Sequence, residues 1–271
     1  MAIRFSVLSS GSTGNATLIE CESLRILLDA GLSAKRLEFL LTAQGIDPGS
    51  LSGVLVTHEH ADHVHGLGAF ARKHKLPVYA NLKTWNALDR TVGDLEEGQR
   101  KHFITGETIV FGSMTVESFP ISHDAAEPVA YNFYDGQAKL SIATDIGYMS
   151  PIVREKIKDA DVIVLEANHD IQMLRVGKYP WNIKRRILSD VGHLSNEAAG
   201  EALCDVISAR TKRVYLAHLS REHNMLDLAK LTVNNILYDS GVYADGRNVT
   251  LMDTYYDRPT AWDRVESMAV V

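Results

Sequence analysis

The stretch Val54-Leu55-Val56-Thr57-His58-Glu59-His60-Ala61-Asp62-His63 decides how this chain is read. A short apolar strand, Val54–Val56, runs straight into three imidazoles and a carboxylate crowded between positions 58 and 63. Helix and strand periodicities send such close neighbours to different faces, so no regular element aims all four at one point. A tight loop can. Neutral imidazole nitrogens and carboxylate oxygens are the donors that zinc and its divalent neighbours take. A lone His-x-His would read as a solvated loop, whereas four donor positions directly after an apolar strand read as a metal centre.

Working outward, the other candidate donors also sit just past apolar strands. Asp29 follows Ile26-Leu27-Leu28, His123 follows an expected strand over Met114–Phe119, Asp145 follows Ser141-Ile142-Ala143, and His218 follows Val214-Tyr215-Leu216. Loops at strand ends are where a rigid scaffold gathers ligands around one point. Further strands are expected at Ile3–Leu8, Ala16–Cys21, Leu24–Leu28, Pro77–Ala80, Val129–Tyr134, Leu140–Ala143, Val162–Glu166, Val214–Ala217 and Val249–Met252. Helices are expected at Ala34–Gln44, Gly68–His74, Ile152–Lys158, Asn196–Ala209 and Met225–Leu237. Strands and helices mixed throughout imply an α/β fold.

The 271 residues suit one domain spanning 1–271, with no repeat or long linker. A chain of this size buries a full core without disulfides or structural metal, which leaves any bound metal free for catalysis. No apolar run approaches the length that spans a bilayer, and the start, Met1-Ala2-Ile3-Arg4-Phe5, alternates like a strand rather than a signal peptide. Cys21 and Cys204 stand far apart in no Cys-x-x-Cys pair, which suits a reducing, cytoplasmic compartment. A net charge of −6 gives no bulk attraction to nucleic acid, although a local basic patch is enough to bind a phosphodiester.

The ordered set Asp29, His58/His60/Asp62/His63, His123, Asp145, His218 resembles the metallo-β-lactamase fold superfamily over essentially the whole chain. The resemblance implies a four-layered αββα sandwich. It implies that His58, His60 and His123 bind one metal, that Asp62, His63 and His218 bind a second, and that Asp145 bridges them. Asp29 would orient ligands rather than bind metal. Two divalent ions, zinc or manganese with iron as a further option, would then activate water for hydrolysis. With no cysteine near Asp145, the chain is set apart from the true β-lactamases.

Gly192-His193-Leu194-Ser195-Asn196 resembles a segment of the tRNA 3′-processing branch in which the histidine protonates the leaving group. The Glu-Ala pair of that branch is matched by Leu165-Glu166-Ala167, so Glu166 would hold His193 in its donor form. Ser195 is also placed to cap the helix that begins at Asn196. Asp62, Glu166 and His193 are the residues expected to act in the reaction. The 22 positions from His123 to Asp145 and the 73 from Asp145 to His218 leave no room for the large inserts of other nuclease branches. What remains resembles the compact YycJ-type (WalJ-type) group, which implies a 5′-to-3′ DNA exonuclease with a link to mismatch repair. The substrate implied is single-stranded or end-frayed nucleic acid, with DNA preferred. The alternative is a thioesterase or lactonase acting on a small-molecule ester. A metal-bound regulatory module is a third possibility, against which the full ligand set argues.

Three supporting features point the same way. Ser9–Asn15 is a small-residue loop able to offer N–H groups to a phosphate, or simply a tight turn. Met173–Leu188 interleaves Arg175, Lys178, Lys184, Arg185 and Arg186 with Tyr179 and Trp181, a mixture suited to a single-stranded groove or to a solvated helix. Arg221, His223 and Asn224 are candidate phosphate contacts. His65, His74, His102 and His169 read as structural or surface residues, and Cys21 and Cys204 as core.

Overall fold

Two long stretches of buried, β-rich chain define the architecture of the computed structural model, which describes residues 3–244 and 248–266. Met1 and Ala2, at the start of the alternating N-terminal run, lie outside the described residues. In the first half, β1 (Ile3–Ser9), β2 (Ala16–Cys21) and β3 (Leu24–Leu28) form an antiparallel meander. The chain then crosses over through α1 (Ala34–Ala43) to β4 (Gly53–Leu55), and continues through α2 (Ala61–Val64) and α3 (Leu67–His74) to β5 (Val78–Asn81). After α4 (Leu82–Leu88) comes the edge strand β6 (Arg100–Phe103). The second half repeats the plan. β7 (Thr108–Phe111), β8 (Met114–Pro120), β9 (Val129–Asp135) and β10 (Ala138–Ala143) meander antiparallel. Parallel strands β11 (Val162–Glu166), β12 (Arg213–Ala217) and β13 (Thr250–Asp253) follow. Their helices are α5 (Pro151–Ile157), α6 (Ile171–Val176), α7 (Trp181–Ile187), α8 (Asn196–Val206) and α9 (Leu226–Asp239). Finally β14 (Asp263–Val265) pairs with β1.

The result is two seven-stranded mixed sheets, ordered β14-β1-β2-β3-β4-β5-β6 and β13-β12-β11-β10-β9-β8-β7. Three apolar layers hold them. Phe5, Ile19, Val116, Tyr131 and Phe133 fill the space between the sheets. Leu37, Leu40, Phe70 and Trp85 pack helices onto the outer face of the first sheet, and Val153, Leu203, Val233 and Leu237 do so on the second. Burial on both faces explains why Val162-Ile163-Val164-Leu165 of β11 reads as a continuous apolar run rather than an alternating one. This is the four-layered αββα sandwich expected from the sequence.

Parallel pairing sets the site. β3 and β4 run parallel in one sheet, and β10, β11 and β12 run parallel in the other. Their carboxyl ends therefore lie along one edge, the place where α/β sheets collect ligands. Tyr131 Oη donates to the Val56 carbonyl at 2.7 Å and Val129 N–H to the Thr57 carbonyl at 3.1 Å, so the two sheets are tied together beside that edge.

Some expectations are corrected. The helix expected over Asn196–Ala209 ends at Val206, because Ile207 is extended and Ser208–Thr211 closes into a turn through its own side chains. The basic-aromatic stretch is not one helix. It breaks between α6 and α7, where Gly177 is extended and Pro180 caps α7. Lys184, far from being a free cation, is buried with Nζ donating to the carbonyls of Arg175 and Gly177, both at 2.7 Å. Among the described residues, no helix is long and apolar enough to cross a membrane.

Candidate metal centre

Three of the expected residues share one backbone device. Asp29, Asp145 and His218 all adopt left-handed φ, at 61°, 60° and 55°, within two residues of the ends of β3, β10 and β12. For residues with a Cβ this conformation costs roughly 1–3 kcal/mol each, and it turns the side chain off the strand end toward the facing sheet. Glycine supplies the close approach between the loops. A Cβ on Gly31 would lie 1.7 Å from the Asp62 carbonyl oxygen, so only glycine lets the β3–α1 loop meet α2.

The donors converge. Ligand atoms of His58, His60 and His123 lie within 4.8 Å of one another, and so do those of Asp62, His63, Asp145 and His218. A third group, Asp145, Glu166, His193 and His218, overlaps the second. Asp145 Oδ2 is 3.2 Å from His63 Nε2, while Oδ1 is 3.4 Å from His218 Nε2 and 3.8 Å from His123 Nε2. This carboxylate faces imidazoles of both groups. Asp62 Oδ2 lies 3.3 Å from His218 Nε2 and 3.6 Å from His63 Nε2.

The far nitrogen is held from behind in His58, His63, His123 and His218. Asp29 Oδ2 meets His63 Nδ1 at 2.8 Å, and Asp29 accepts the Thr57 N–H and Oγ1–H at 2.9 Å each. Thr57 Oγ1 lies 3.0 Å from His58 Nδ1. Nδ1 of His123 donates to the Gly192 carbonyl at 3.1 Å. His218 Nδ1 faces Glu166 Oε1 at 3.2 Å. Every bond that fixes an Nδ1 leaves an Nε2 turned inward, which is how metal-binding histidines are oriented. Thr57, Asn15 and Asn168 belong to this shell and were not singled out from the sequence. Asn15 Nδ2 reaches Asp62 and His63, and Asn168 Nδ2 donates to the His218 carbonyl.

The electrostatics favour a cation here. Burial alone would push His63 and His218 toward neutrality, yet Asp145, with Asp29, Asp62 and Glu166, draws them the other way, and His218 reaches about 10. Asp62, Asp145 and Glu166 stay ionised against burial, Asp145 because His218 and His63 face it. His58, buried and surrounded by other imidazoles, is pushed well below its ordinary value and stays neutral. Its Nε2 is buried with no hydrogen-bond partner. A neutral imidazole lone pair left unpartnered in the interior, opposite a concentration of anionic oxygens, fits a divalent ion.

The third group has a different character. Glu166 is fully buried, with Oε2 accepting N–H from Ile146 at 2.8 Å and Leu194 at 3.1 Å. Oε1 takes His193 Nδ1 at 2.7 Å. Burial pushes the Glu166 pKa up, but the charge and hydrogen bond of His193 and the hydrogen bond of His218 bring it down to about 2. Burial pushes His193 down and Glu166 reverses this, so its pKa is raised. The Glu166 oxygens thus face His193 and two backbone N–H groups. Ser195 caps α8 as well, accepting Ala198 N–H at 3.1 Å.

A cavity of about 270 Å³ opens over these groups, walled by Ser12, Tyr179, Ile183, Arg186, His193 and Ser220. Tyr179 and Arg186 place the basic-aromatic stretch against the centre, with Arg186 forked onto Asp124. His223 and Asn224 are buried, His223 under the Tyr179 ring and Asn224 bonded to Asn196, so neither is free to meet a phosphate. Arg221 is exposed. Gly11 N–H is taken by Asn15 Oδ1 and Ser9 Oγ by the Gly14 carbonyl, so the Ser9–Asn15 loop is a self-braced hairpin turn. His65 and His102 are exposed, His74 pairs with Glu38, and His169 is buried. Cys21 is core, whereas Cys204 is only partly buried.

Comparison with known proteins agrees with this geometry. Residues 24–219 match the family described as beta-lactamase superfamily domain. The chain is 48% identical to exodeoxyribonuclease YycJ of Bacillus anthracis over 96% of its own length and 98% of the relative's. It is 43% identical to exodeoxyribonuclease WalJ of Streptococcus pneumoniae over 90% of its length and 93% of that protein's. The metallo-β-lactamase fold protein YhfI of Bacillus subtilis superposes with a TM-score of 0.73 at 14% identity, covering 96% of this chain and 99% of that one.

Proposed function

The chain belongs to the beta-lactamase superfamily domain family, and from that premise we propose that it is a metal-dependent phosphodiesterase that degrades DNA from a 5′ end. The observation that carries the reading is the Glu166–His193 pair at 2.7 Å, set beside Asp145 at the mouth of the cavity. A thioester gives up a thiolate, a leaving group that needs little protonation. A phosphodiester gives up an alkoxide, for which a positioned proton donor contributes about 10²–10⁴-fold.

In this reading His58, His60 and His123 would hold one divalent ion, Asp62, His63 and His218 would hold a second, and Asp145, which faces imidazoles of both groups, would serve as a ligand as well. Zinc and manganese both suit these donors, and iron fits the same set. Such a pair, when bound, supplies hydroxide at neutral pH and offsets charge on the phosphoryl oxygens. The protein's own groups do the rest. Glu166 accepts the Nδ1–H of His193 and favours its cationic form. His193 Nε2–H is then the proton given to the departing sugar oxygen. The His193 side chain is 16% exposed, so it recovers a proton from water after each turnover. Asp29 and Thr57 keep His63 and His58 aimed. Asp62 both closes the second set and, through Asn15, fixes the β1–β2 turn over the cavity.

The relatives named exodeoxyribonucleases span nearly the whole chain, which supports DNA over a small-molecule ester. No feature of the site favours the thioesterase or lactonase alternative. The test is cleavage of end-labelled single-stranded and duplex oligonucleotides across a series of divalent metals. Progressive shortening from the 5′ end is expected, and His193→Ala should slow it about 10²–10⁴-fold while metal content stays unchanged. Equal rates for the variant and the wild type would remove His193 as the proton donor.

A further inference from the structure

A second cavity, about 400 Å³ in volume, adjoins the first, and Ser220 lines both. Its walls carry two stacked pairs. The Arg221 guanidinium carbon lies 4.2 Å from the Tyr256 ring centroid, and that of Arg258 lies 4.0 Å from the Tyr255 ring. We propose that this cleft is a nucleotide subsite: it takes the nucleotide of single-stranded DNA next to the scissile phosphate, its base against the Arg–Tyr stacks and its phosphate on the guanidinium edges. The proposal rests on the phosphodiesterase reading of the adjoining centre.

The two arginines differ from others in the chain. The guanidinium groups of Arg4, Arg25, Arg210 and Arg213 are each met by a carboxylate of Glu20, Asp161 or Asp263. Arg221 makes no hydrogen bond or ion pair among the described residues. Arg258 has only a 3.9 Å contact with Asp257 and is 62% exposed. Each guanidinium thus lies over a ring, Arg221 with no carboxylate partner and Arg258 with only that long contact, in a protein of net charge −6. A flat cation on an aromatic face offers a stacking platform to any base, and its fork matches phosphate oxygens.

The cleft is fastened to the centre through the backbone. Ser10 N–H donates to the Tyr255 carbonyl at 2.9 Å, and Ser9 Oγ donates to the Tyr256 carbonyl at 2.9 Å. Ser10 Oγ in turn accepts the N–H of His218 at 2.7 Å. The stacked tyrosines are therefore positioned by the same short loop that holds a candidate metal ligand. A polymer with one phosphate over that ligand has its neighbouring unit at this opening.

The experiment is fluorescence anisotropy of a labelled phosphorothioate oligothymidylate with the metal-loaded protein. Arg221→Ala, Arg258→Ala and Tyr256→Ala should each weaken binding about tenfold, and the double arginine variant about a hundredfold. Each arginine removed should lower the log–log salt slope by about one. Tyr256→Phe, which keeps the ring, should restore binding, and Arg90→Ala, an exposed arginine after α4, should leave it unchanged. The proposal is overturned if the double variant binds within twofold of wild type, if Arg90→Ala weakens binding equally, or if the wild type does not bind the oligonucleotide. Wild-type binding lost in the cleft variants, in a protein that cuts no DNA, would instead overturn the phosphodiesterase reading and with it the place of the cleft beside a scissile phosphate, leaving a single-strand binding cleft only.

Discussion

One oxygen of Glu166 serves two imidazoles: Oε1 lies 2.7 Å from His193 Nδ1 and 3.2 Å from His218 Nδ1. The second oxygen is fixed by the Ile146 and Leu194 N–H groups. In Glu166→Gln the amide oxygen must take the place facing those two donors, which turns the amide NH₂ toward both histidines. Each Nδ1 then becomes an acceptor. His193 loses the anion that favours its cationic form, and His218 is driven to carry its proton on Nε2, the atom that faces Asp62 and Asp145. DNA cleavage should fall about 10²–10⁴-fold and affinity for a metal in the Asp62/His63/His218 group about 10–100-fold. Metal titration alongside single-turnover cleavage separates the two losses. Full metal affinity with full activity would show that Glu166 only fills space.

Arg186 stands on the rim of the central cavity, its fork on both oxygens of Asp124, next to His123. An ion pair this exposed contributes about 0–1 kcal/mol to stability. Arg186→Ala and Asp124→Ala should therefore shift the denaturation midpoint little. Their effects on substrate should diverge. Loss of Arg186 should raise KM for oligonucleotides about tenfold, whereas loss of Asp124 frees the fork and should lower KM or leave it unchanged. A parallel rise in both would assign the pair to holding the His123 loop instead.

Gly31→Ala tests the close approach between loops. The added Cβ would sit 1.7 Å from the Asp62 carbonyl oxygen and 2.7 Å from Asn15 N, and both are backbone atoms that cannot swing aside. The expected cost is about 3 kcal/mol or more by chemical denaturation. Because the strain falls on Asp62, the metal affinity of that group should drop with it. A substitution tolerated within 1 kcal/mol, by the same order-of-magnitude reckoning, would mean that the two loops move apart freely.

What the sequence made legible follows from burial. β2, β3 and β11 match their expected ends because each is a mostly apolar segment packed on one or both faces. β6 (Arg-Lys-His-Phe) was not read, since three of its four residues are exposed and only pairing with β5 makes it a strand. β14 exists only through its register with β1, more than 250 positions away, and no local pattern carries that. The candidate donors were legible for a different reason: each is a chemically distinctive residue just past an apolar run. Thr57, Asn15 and Asn168 were not, because their roles lie in contacts across space, such as Thr57 with Asp29 across 28 positions.

His169 contributes to the acid limb of stability. It is 1% exposed, and neither ring nitrogen has a hydrogen-bond partner. Burial pushes its pKa from 6.5 down to about 4, with Glu166 pulling up and His193 and His223 pushing further down. Above pH 6.5 folded and unfolded chains both carry neutral imidazole, and the residue adds no pH slope. As pH falls from 6.5 toward 4 the unfolded chain takes up a proton that the folded one refuses, so stability drops, by roughly 3 kcal/mol at the lower end. Below that both forms are protonated and the loss levels off. His169→Leu keeps the site apolar and removes the titration. Urea denaturation of both proteins between pH 4 and 7, with chelator present throughout so that metal release does not contribute, should show the variant losing less stability across that window. Parallel curves would mean that His169 opens to water before it meets a proton, and that its burial carries no acid sensitivity.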